Sequence, residues 1–379
     1  MAVLGGAGLM GRAVVFDLAR RRIPVRLIDT DGGRAREIGR RYGRGRAEVV
    51  SADGADPASL TSAIGGAAVL VHCGPYALNM AAMDAALAAR CHYLDLGGLF
   101  HTTRRQLRRD AEFRRAGRLA VLGMGSAPGT TNVLAWAAAA RLDRVDAVHV
   151  FNGGADFTRG APSLSFAFSP ATLLEELSRP PMVFTRGRLR AARPLSGAED
   201  FPFDLGVQRV HLSLHSEVAT LPVSLAPKGI RECRFKIAYE PRLVELLRML
   251  IGLGLADPRP GPRGVAPRDV LIDALRRLPP GPDFVDDRDA LAVVVSGRDG
   301  RGLVRVRYDL LAGPQRRPPL SAVARNTGFP AAIVAGMLRE GALRARGVRP
   351  PETCVPVRPF LAALAARGLV ARRTLTRVR

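Results

Sequence analysis

Along the first third of the chain, apolar residues gather into short runs at 2–4, 25–28, 48–51, 68–72, 93–96 and 119–122. Helical spacing fills the gaps, at 11–21, 33–42, 57–64, 79–89 and 103–115. Strand and helix alternating at this spacing predict βαβ units on a parallel sheet. Past residue 126 the pattern changes. A helix at 130–141 is followed by strand-like runs at 147–151, 163–168, 208–214, 232–238, 291–296 and 303–310. The last two flank Asp299-Gly300 and read as a hairpin. Loops rich in Pro and Gly fall at 257–267 and 279–282, and helical spacing returns at 320–340 and 360–367. The expected fold class is α/β: a Rossmann dinucleotide-binding domain (1–125), then an α+β domain with a largely antiparallel sheet (126–319). A C-terminal helical segment (320–379) is expected to pack back near the cleft. No internal repeat interrupts this order.

The first apolar run leads into Gly6-Ala7-Gly8-Leu9-Met10-Gly11. Glycines at this spacing, between a strand and a helix, suit a turn that lets backbone approach a pyrophosphate. The helix start at Leu9 and Met10 then offers unpaired N–H groups to the phosphates. Asp29 ends the second run about 20 residues on, where a carboxylate accepts from ribose hydroxyls and repels a 2′-phosphate. Asp29 therefore favours NAD, while Arg34 nearby keeps NADP possible; its bland alternative is a turn cap.

In an open parallel sheet the ligand lies beyond the carboxyl ends of the strands. That rule nominates Asp53 near the adenine, unless it is only a turn residue. It nominates Cys73, Gly74 and Pro75 near the nicotinamide ribose, with Tyr76 as a substrate or proton-relay residue or a packed aromatic. Asp95 is a candidate base or a cap for the next turn. Ser126 and Pro128 open a helix whose start could hold the nicotinamide amide or a substrate carboxylate, with Gly129 and Asn132 on the substrate side. Asn152, Gly153 and Gly154 follow the first strand of the second domain, as substrate contacts or as a turn.

The chain has 379 residues, 47% of them hydrophobic, enough for two or three domains and a sizeable core. No apolar run reaches the 18 or so residues that cross a bilayer. A fingerprint beginning at Val3 leaves no room for a signal peptide, so a cytoplasmic location is expected. Four scattered cysteines form no CxxC, and the six histidines show no metal-ligand spacing. No disulfide scaffold and no metal are expected. The net charge of +23 would suggest an acidic partner. Only two of the 57 basic residues are lysine, however, and the arginines are spread evenly rather than in one stripe. That distribution argues against a nucleic-acid partner.

Set side by side, the loops resemble those of the saccharopine dehydrogenase family, most closely the short bacterial lysine 6-dehydrogenase-type members. The resemblance rests on Gly6 to Gly11, His92-Tyr93-Leu94-Asp95-Leu96-Gly97-Gly98, and Gly125-Ser126-Ala127-Pro128-Gly129-Thr130-Thr131-Asn132. It continues through Val265-Ala266-Pro267-Arg268-Asp269, Ala324-Arg325-Asn326-Thr327-Gly328-Phe329-Pro330 and Gly347-Val348-Arg349-Pro350-Pro351-Glu352. Two stretches depart. Relatives carry an aromatic-Pro-Gly-His segment where this chain has Tyr239-Glu240-Pro241-Arg242, and the match is poor over residues 213–220, where relatives contribute substrate-side residues.

The resemblance implies an NAD(P)-dependent oxidoreductase. It would transfer hydride at the C–N bond of lysine or a lysine-like amino acid, through an imine. An imine-forming reductase, of the saccharopine or carboxyspermidine kind, stays open, as does a dinucleotide-binding protein without turnover. It also implies a homodimer through the middle sheet and a small amino-acid substrate. Lys236 stands out in a chain that otherwise uses arginine, at a position where relatives also tend to have lysine. It is a candidate for carboxylate binding or proton transfer, or a strand-end charge. Arg325 and Thr327 are further substrate-side candidates.

Overall fold

The computed structural model describes residues 1–160, 166, 169–262, 264–278 and 281–377. Its first unit runs β1 (Ala2–Leu4), α1 (Leu9–Arg20), β2 (Val25–Asp29), α2 (Gly32–Tyr42), β3 (Ala47–Ser51), α3 (Pro57–Ile64), β4 (Val69–His72), α4 (Asn79–Ala88), β5 (His92–Asp95), α5 (Leu99–Leu107), α6 (Asp110–Arg115) and β6 (Leu119–Val121). Apolar runs this short do not make helices; β1, β4 and β6 are buried throughout, as central parallel strands are, while β3 at the edge stays partly exposed. The sheet order is β3-β2-β1-β4-β5-β6, all parallel, with the order reversing between β1 and β4. That reversal opens a crevice at the carboxyl ends of the strands. The helix expected over 103–115 is two helices, α5 and α6.

Helix α7 (Thr130–Ala139) leads into the second unit: β7 (Arg144–Asp156), α8 (Pro170–Ser178), β8 (Met182–Thr185), β9 (Arg188–Ala191), β10 (Glu199–Phe203), β11 (Gly206–Leu212), α9 (Glu217–Ser224), β12 (Glu232–Ala238), α10 (Pro241–Gly252), α11 (Pro267–Arg276), β13 (Asp287–Asp299) and β14 (Gly302–Ala312). The order β10-β11-β12-β7-β13-β14 is antiparallel except where β12 runs parallel to β7. The expected hairpin is β13–β14, turning at Gly300-Arg301. The strand expected at 163–168 and part of the loop at 279–282 lie outside the described residues.

The last stretch is α12 (Ala322–Arg339), β15 (Gly347–Arg349), α13 (Pro351–Cys354), α14 (Val357–Ala365) and β16 (Ala371–Arg377). It was expected to be helical, yet it adds a strand to each sheet: β15 beside β6, and β16 beside β14. Its helix α12 crosses α1 so closely that a Cβ on Gly328 would lie 2.7 Å from Ala13 Cβ and 2.9 Å from the Met10 carbonyl. Asp287 accepts from the N–H of Ala322 (2.6 Å) and of Val323 (3.3 Å), and Ser321 from Ala324, so the start of α12 is pinned to β13. Burial pushes the Asp287 carboxyl up to about 6.

Two apolar layers position the cleft. One joins α1, α12 and α14 to the parallel sheet, including Val14, Leu18, Phe329 and Phe360. The other joins α5, α7 and α9 to one face of the second sheet, including Phe100, Leu134, Val218, Cys233 and Phe235. Among the described residues no helix is long and apolar enough to cross a membrane.

Candidate functional site

The glycine loop forms an open cradle. Gly5 takes a left-handed conformation (φ +73°) and packs against the Gly74 backbone, joining the first loop to the one after β4. This role falls one residue before the motif read from the sequence. Around Gly8 the nearest obstacle to a Cβ is the Gly5 carbonyl at 3.2 Å, and the remaining space is open. Helix α1 starts with no side-chain cap and no acidic residue in its first turn, and Leu9 is exposed. The Asp29 carboxylate accepts from the Ala7 N–H at 3.0 Å and the Asp31 N–H at 3.3 Å. It therefore stands at the rim of the cradle. The free N–H groups, positive helix end and rim carboxylate fit the pyrophosphate and ribose of a dinucleotide. Asp53 accepts from the Ala55 N–H at 2.9 Å and shapes the turn before α3.

Next around the crevice, Cys73 donates its N–H to the Leu4 carbonyl, and its thiol is pushed up by burial, so it is an inert apolar contact. Tyr76 opens a short 3₁₀ turn. Its hydroxyl donates to Glu175 on α8, which also holds Arg268 at 2.8 Å. Tyr76 is thus a bridge from the dinucleotide unit to the second unit.

Asp95 is buried and accepts from Gln106 Nε2 (2.5 Å) and the N–H groups of Gly123 (2.6 Å) and Gly97 (3.0 Å), with Asn79 Nδ2 at 3.3 Å. Burial raises its pKa against the pull of these donors. A carboxylate ringed by four donors ties the loops after β5 and β6 together, and it has no oxygen left for a substrate. The sequence-based role as a base is corrected to the cap.

The segment before α7 closes on itself. Thr130 N–H donates to the Gly125 carbonyl, Thr131 N–H to the Ser126 carbonyl, and Gly129 N–H to Asn132 Oδ1. Helix α7 begins at Thr130 with Gly129 as its cap, so Pro128 lies in the preceding loop rather than in the first turn. These N–H groups are spent on the chain and cannot hold a ligand. Asn132 Nδ2 donates to Glu352 and Thr220, which makes Asn132 a strut rather than a substrate contact. Ser126 Oγ, Asn152 Nδ2 and Asn326 Nδ2 all donate to buried Asp289. Thr327 packs on Gly125.

Four other expectations are corrected. Gly153 and Gly154 are inside β7, which runs to Asp156. A Cβ at Gly153 would meet the Phe203 ring, and Gly154 bonds Gln208 through its N–H and its carbonyl. They lie under β10 and β11, away from the crevice. Lys236 is one residue from Phe235, hence on the opposite face of the sheet from α7 and α9. There its Nζ binds the Gly197 carbonyl (2.5 Å) and Glu199 (2.9 Å). Arg325 donates to the carbonyls of Gly313 and Arg367 and clamps the C-terminal segment to α12.

What the structure does bring to the crevice is a buried cluster at Ser213 to Glu217, the poorly matching stretch. His215 stacks on Phe235, with centroids 3.7 Å apart and planes at 9°. Its Nδ1 bonds Glu217, whose other oxygen accepts from Thr131 Oγ1 at 2.9 Å. Ser216 Oγ accepts from Thr103 Oγ1 (3.2 Å) and lies against Gly97, so this loop sits over the carboxyl end of β5. Beside it Glu176, its pKa raised by burial, accepts from Tyr239 Oη at 2.7 Å. The sequence held one signal for this cluster: His215 two residues before Glu217, between the apolar Leu214 and Val218.

Residues 1–121 match the model of the saccharopine dehydrogenase NADP binding domain, and residues 125–369 that of the saccharopine dehydrogenase C-terminal domain. The structure resembles saccharopine dehydrogenase (L-Glu forming) from Saccharomyces cerevisiae, with TM-score 0.77, 15% identity and 99% of each chain covered. In sequence the chain is 26% identical over 206 residues to carboxynorspermidine synthase of Vibrio cholerae, 51% of this chain and 48% of that protein. It is 24% identical over 320 residues to carboxyaminopropylagmatine dehydrogenase of a Synechocystis species, 80% of this chain and 79% of that protein. The chain thus spans about half the length of the first of these two relatives.

Proposed function

The chain belongs to the saccharopine dehydrogenase family, whose model for a dinucleotide-binding domain covers the cradle, and from that premise we propose that it is an oxidoreductase acting at the C–N bond of lysine or a lysine-like amino acid. The observation that carries this reading is the placement of a buried acid–base cluster beside a dinucleotide cradle, over the carboxyl ends of the same parallel strands. The nicotinamide supplies or accepts the hydride. The chain holds the pyrophosphate on Gly6 to Gly11, sets the ribose against Asp29 and closes the crevice through Tyr76 and Glu175. A dry pocket keeps water from the reacting carbon during hydride transfer, and the imine that forms is hydrolysed afterwards.

A second reading runs the same chemistry toward reduction, with an amine and a carbonyl condensing to an imine that is then reduced. It is favoured by the match over 80% of the chain to carboxyaminopropylagmatine dehydrogenase. The absence of the Gly-His pair after Tyr239 leaves room for a substrate other than lysine.

Both readings are tested by one panel: L-lysine, saccharopine, and other diamines and amino acids at alkaline pH, each with NAD and NADP. Turnover of lysine, with NAD at least about tenfold more efficient than NADP, is the result expected from a rim carboxylate that repels a 2′-phosphate. Equal efficiency would remove Asp29 from that role. Silence across the panel, with NADH still bound, would remove the oxidative reading. The same proposal makes the protein a cytoplasmic homodimer, joined through the second sheet where Val207, Leu303 and Leu375 remain exposed. Sedimentation equilibrium should give twice the chain mass; a monomer at micromolar concentration contradicts it.

A further inference from the structure

We infer that His215, oriented by Glu217, is the acid–base group at the reacting nitrogen, an inference that rests on the proposed C–N chemistry. Three observations lead there. The pair is placed at the crevice, since Ser216 touches Gly97 and Thr103 beyond the end of β5. The ring is held rigidly, stacked on Phe235 with Nδ1 fixed by a carboxylate that is itself fixed by Thr131. Nδ1 is therefore occupied, and Nε2 is the nitrogen left for a ligand; no described residue bonds it. The other candidates are spent. Asp95 is ringed by four donors, Lys236 is on the far face of the sheet, and Tyr76 is engaged by Glu175.

The charged and titratable groups around the ring come from every element that packs on it. Glu217 is on α9, Glu176 on α8 with the Tyr239 hydroxyl bonded to it, and Cys233 lies on β12. Burial works against protonation of His215, but the attraction and hydrogen bond of Glu217, with Glu176 adding to them, outweigh it and raise the pKa.

In oxidation, neutral His215 takes a proton from the substrate ammonium, R–NH3⁺ becoming R–NH2. The C–H bond then breaks with its electron pair transferred as hydride, which reduces the dinucleotide. The nitrogen lone pair forms the C=N bond and leaves an iminium. Water adds to that carbon and loses one proton, leaving a carbinolamine. The proton on His215 returns to the nitrogen, and the C–N bond breaks with its electron pair going to nitrogen. The hydroxyl loses its proton as the C=O bond forms, so that a carbonyl, ammonia and two protons result, one of which ammonia takes up. In reduction the order reverses: hydride adds to the iminium carbon, and imidazolium then protonates the amine nitrogen.

The test uses the full chain and the substrate that the panel identifies. His215→Gln should lower kcat/KM for oxidation by roughly 10²- to 10⁴-fold, the usual contribution of a positioned acid–base group, with NADH affinity by fluorescence titration unchanged. The loss should shrink at high pH, where the amine is already neutral, and with added imidazole. Glu217→Gln keeps the shape but removes the charge. It should move the low-pH limb of kcat/KM to lower pH, because a less basic imidazole becomes neutral earlier. It should also lower the His215 titration midpoint seen by NMR in the ligand-free protein, a readout independent of turnover. Wild-type kcat/KM and pH profile in His215→Gln, or an unmoved NMR midpoint in Glu217→Gln, would overturn the assignment while leaving the reaction class intact. Silence of the wild type across the panel would instead overturn the reaction class, and the assignment with it.

Discussion

Replacing Gly11 with alanine should weaken dinucleotide binding roughly 10- to 100-fold. A Cβ at Gly11 falls onto the Gly5 carbonyl oxygen, inside any allowed contact, and 2.7 Å from Gly6 Cα. Both atoms belong to the cradle itself. The clash could be relieved if α1 backed away, but α12 blocks it. On that side Gly328 already sits against Met10 and Ala13 with no room for a methyl group. The loop must open instead, and the phosphate contacts go with it. Overpacking of this kind costs about 1–3 kcal/mol, and each 1.4 kcal/mol is tenfold in affinity. The NADH dissociation constant should therefore rise roughly 10- to 100-fold, with a lower melting temperature. An unchanged constant and an unchanged melting curve would show that α1 can yield and that the crossing with α12 does not hold it in place.

This prediction also shows where the sequence was legible. Glycine spacing and short apolar runs are local signals, so the parallel βαβ units of the first sheet and the cradle after β1 are legible in the sequence, whereas the strand order is not. The same holds for the hairpin β13–β14, marked by alternation and Asp299-Gly300. What stayed hidden depends on pairing across the chain. Strand β10 carries Pro202 and two acids, and β16 is mostly arginine and threonine, so neither has a strand pattern of its own. Each is a strand only because β11 or β14 lies beside it. Site residues failed for a related reason. Asp95, Asn132 and Arg325 have the right chemistry and the right position along the chain, but partners such as Gly123, Glu352 and Arg367 engage the Asp95 carboxylate, the Asn132 amide and the Nη groups of Arg325 within the chain. Lys236 was misplaced by a single step of strand alternation, which moves a side chain to the other face of a sheet. His215 is hard to find because its spacing to Glu217 alone does not tell a stacked and paired histidine from a surface one; Phe235 and Thr131, which fix the pair, lie elsewhere in the chain.

The other large effect is expected at Asp17, a lone acid on the buried side of α1. Its carboxylate is fully buried and receives both Nε and Nη2 of Arg367 at 2.8 Å, with Arg20 Nε also at 2.8 Å. Arg367 follows α14, and its own carbonyl accepts from Arg325 on α12. One ion pair thus locks the C-terminal segment onto the helix that opens the cradle. Removing one partner of a buried pair costs about 3–5 kcal/mol, because the remaining charge loses its partner without regaining water. Asp17→Ala strands the Arg367 guanidinium, 8% exposed, and should bear that full cost. At about 2–4 °C per kcal/mol for a large domain, the melting temperature should fall by roughly 6–20 °C. Arg367→Leu should cost less, since Arg20 still faces Asp17. The double variant Asp17→Leu/Arg367→Leu should recover much of the loss, because apolar replacement of both partners removes the buried charge altogether. Thermal melts measure all three, and adding the single variant Asp17→Leu closes a double-mutant cycle for the pair. If Asp17→Ala melts within a degree of the wild type, the C-terminal segment is held by its apolar contacts alone and the pair contributes nothing to closing the cradle.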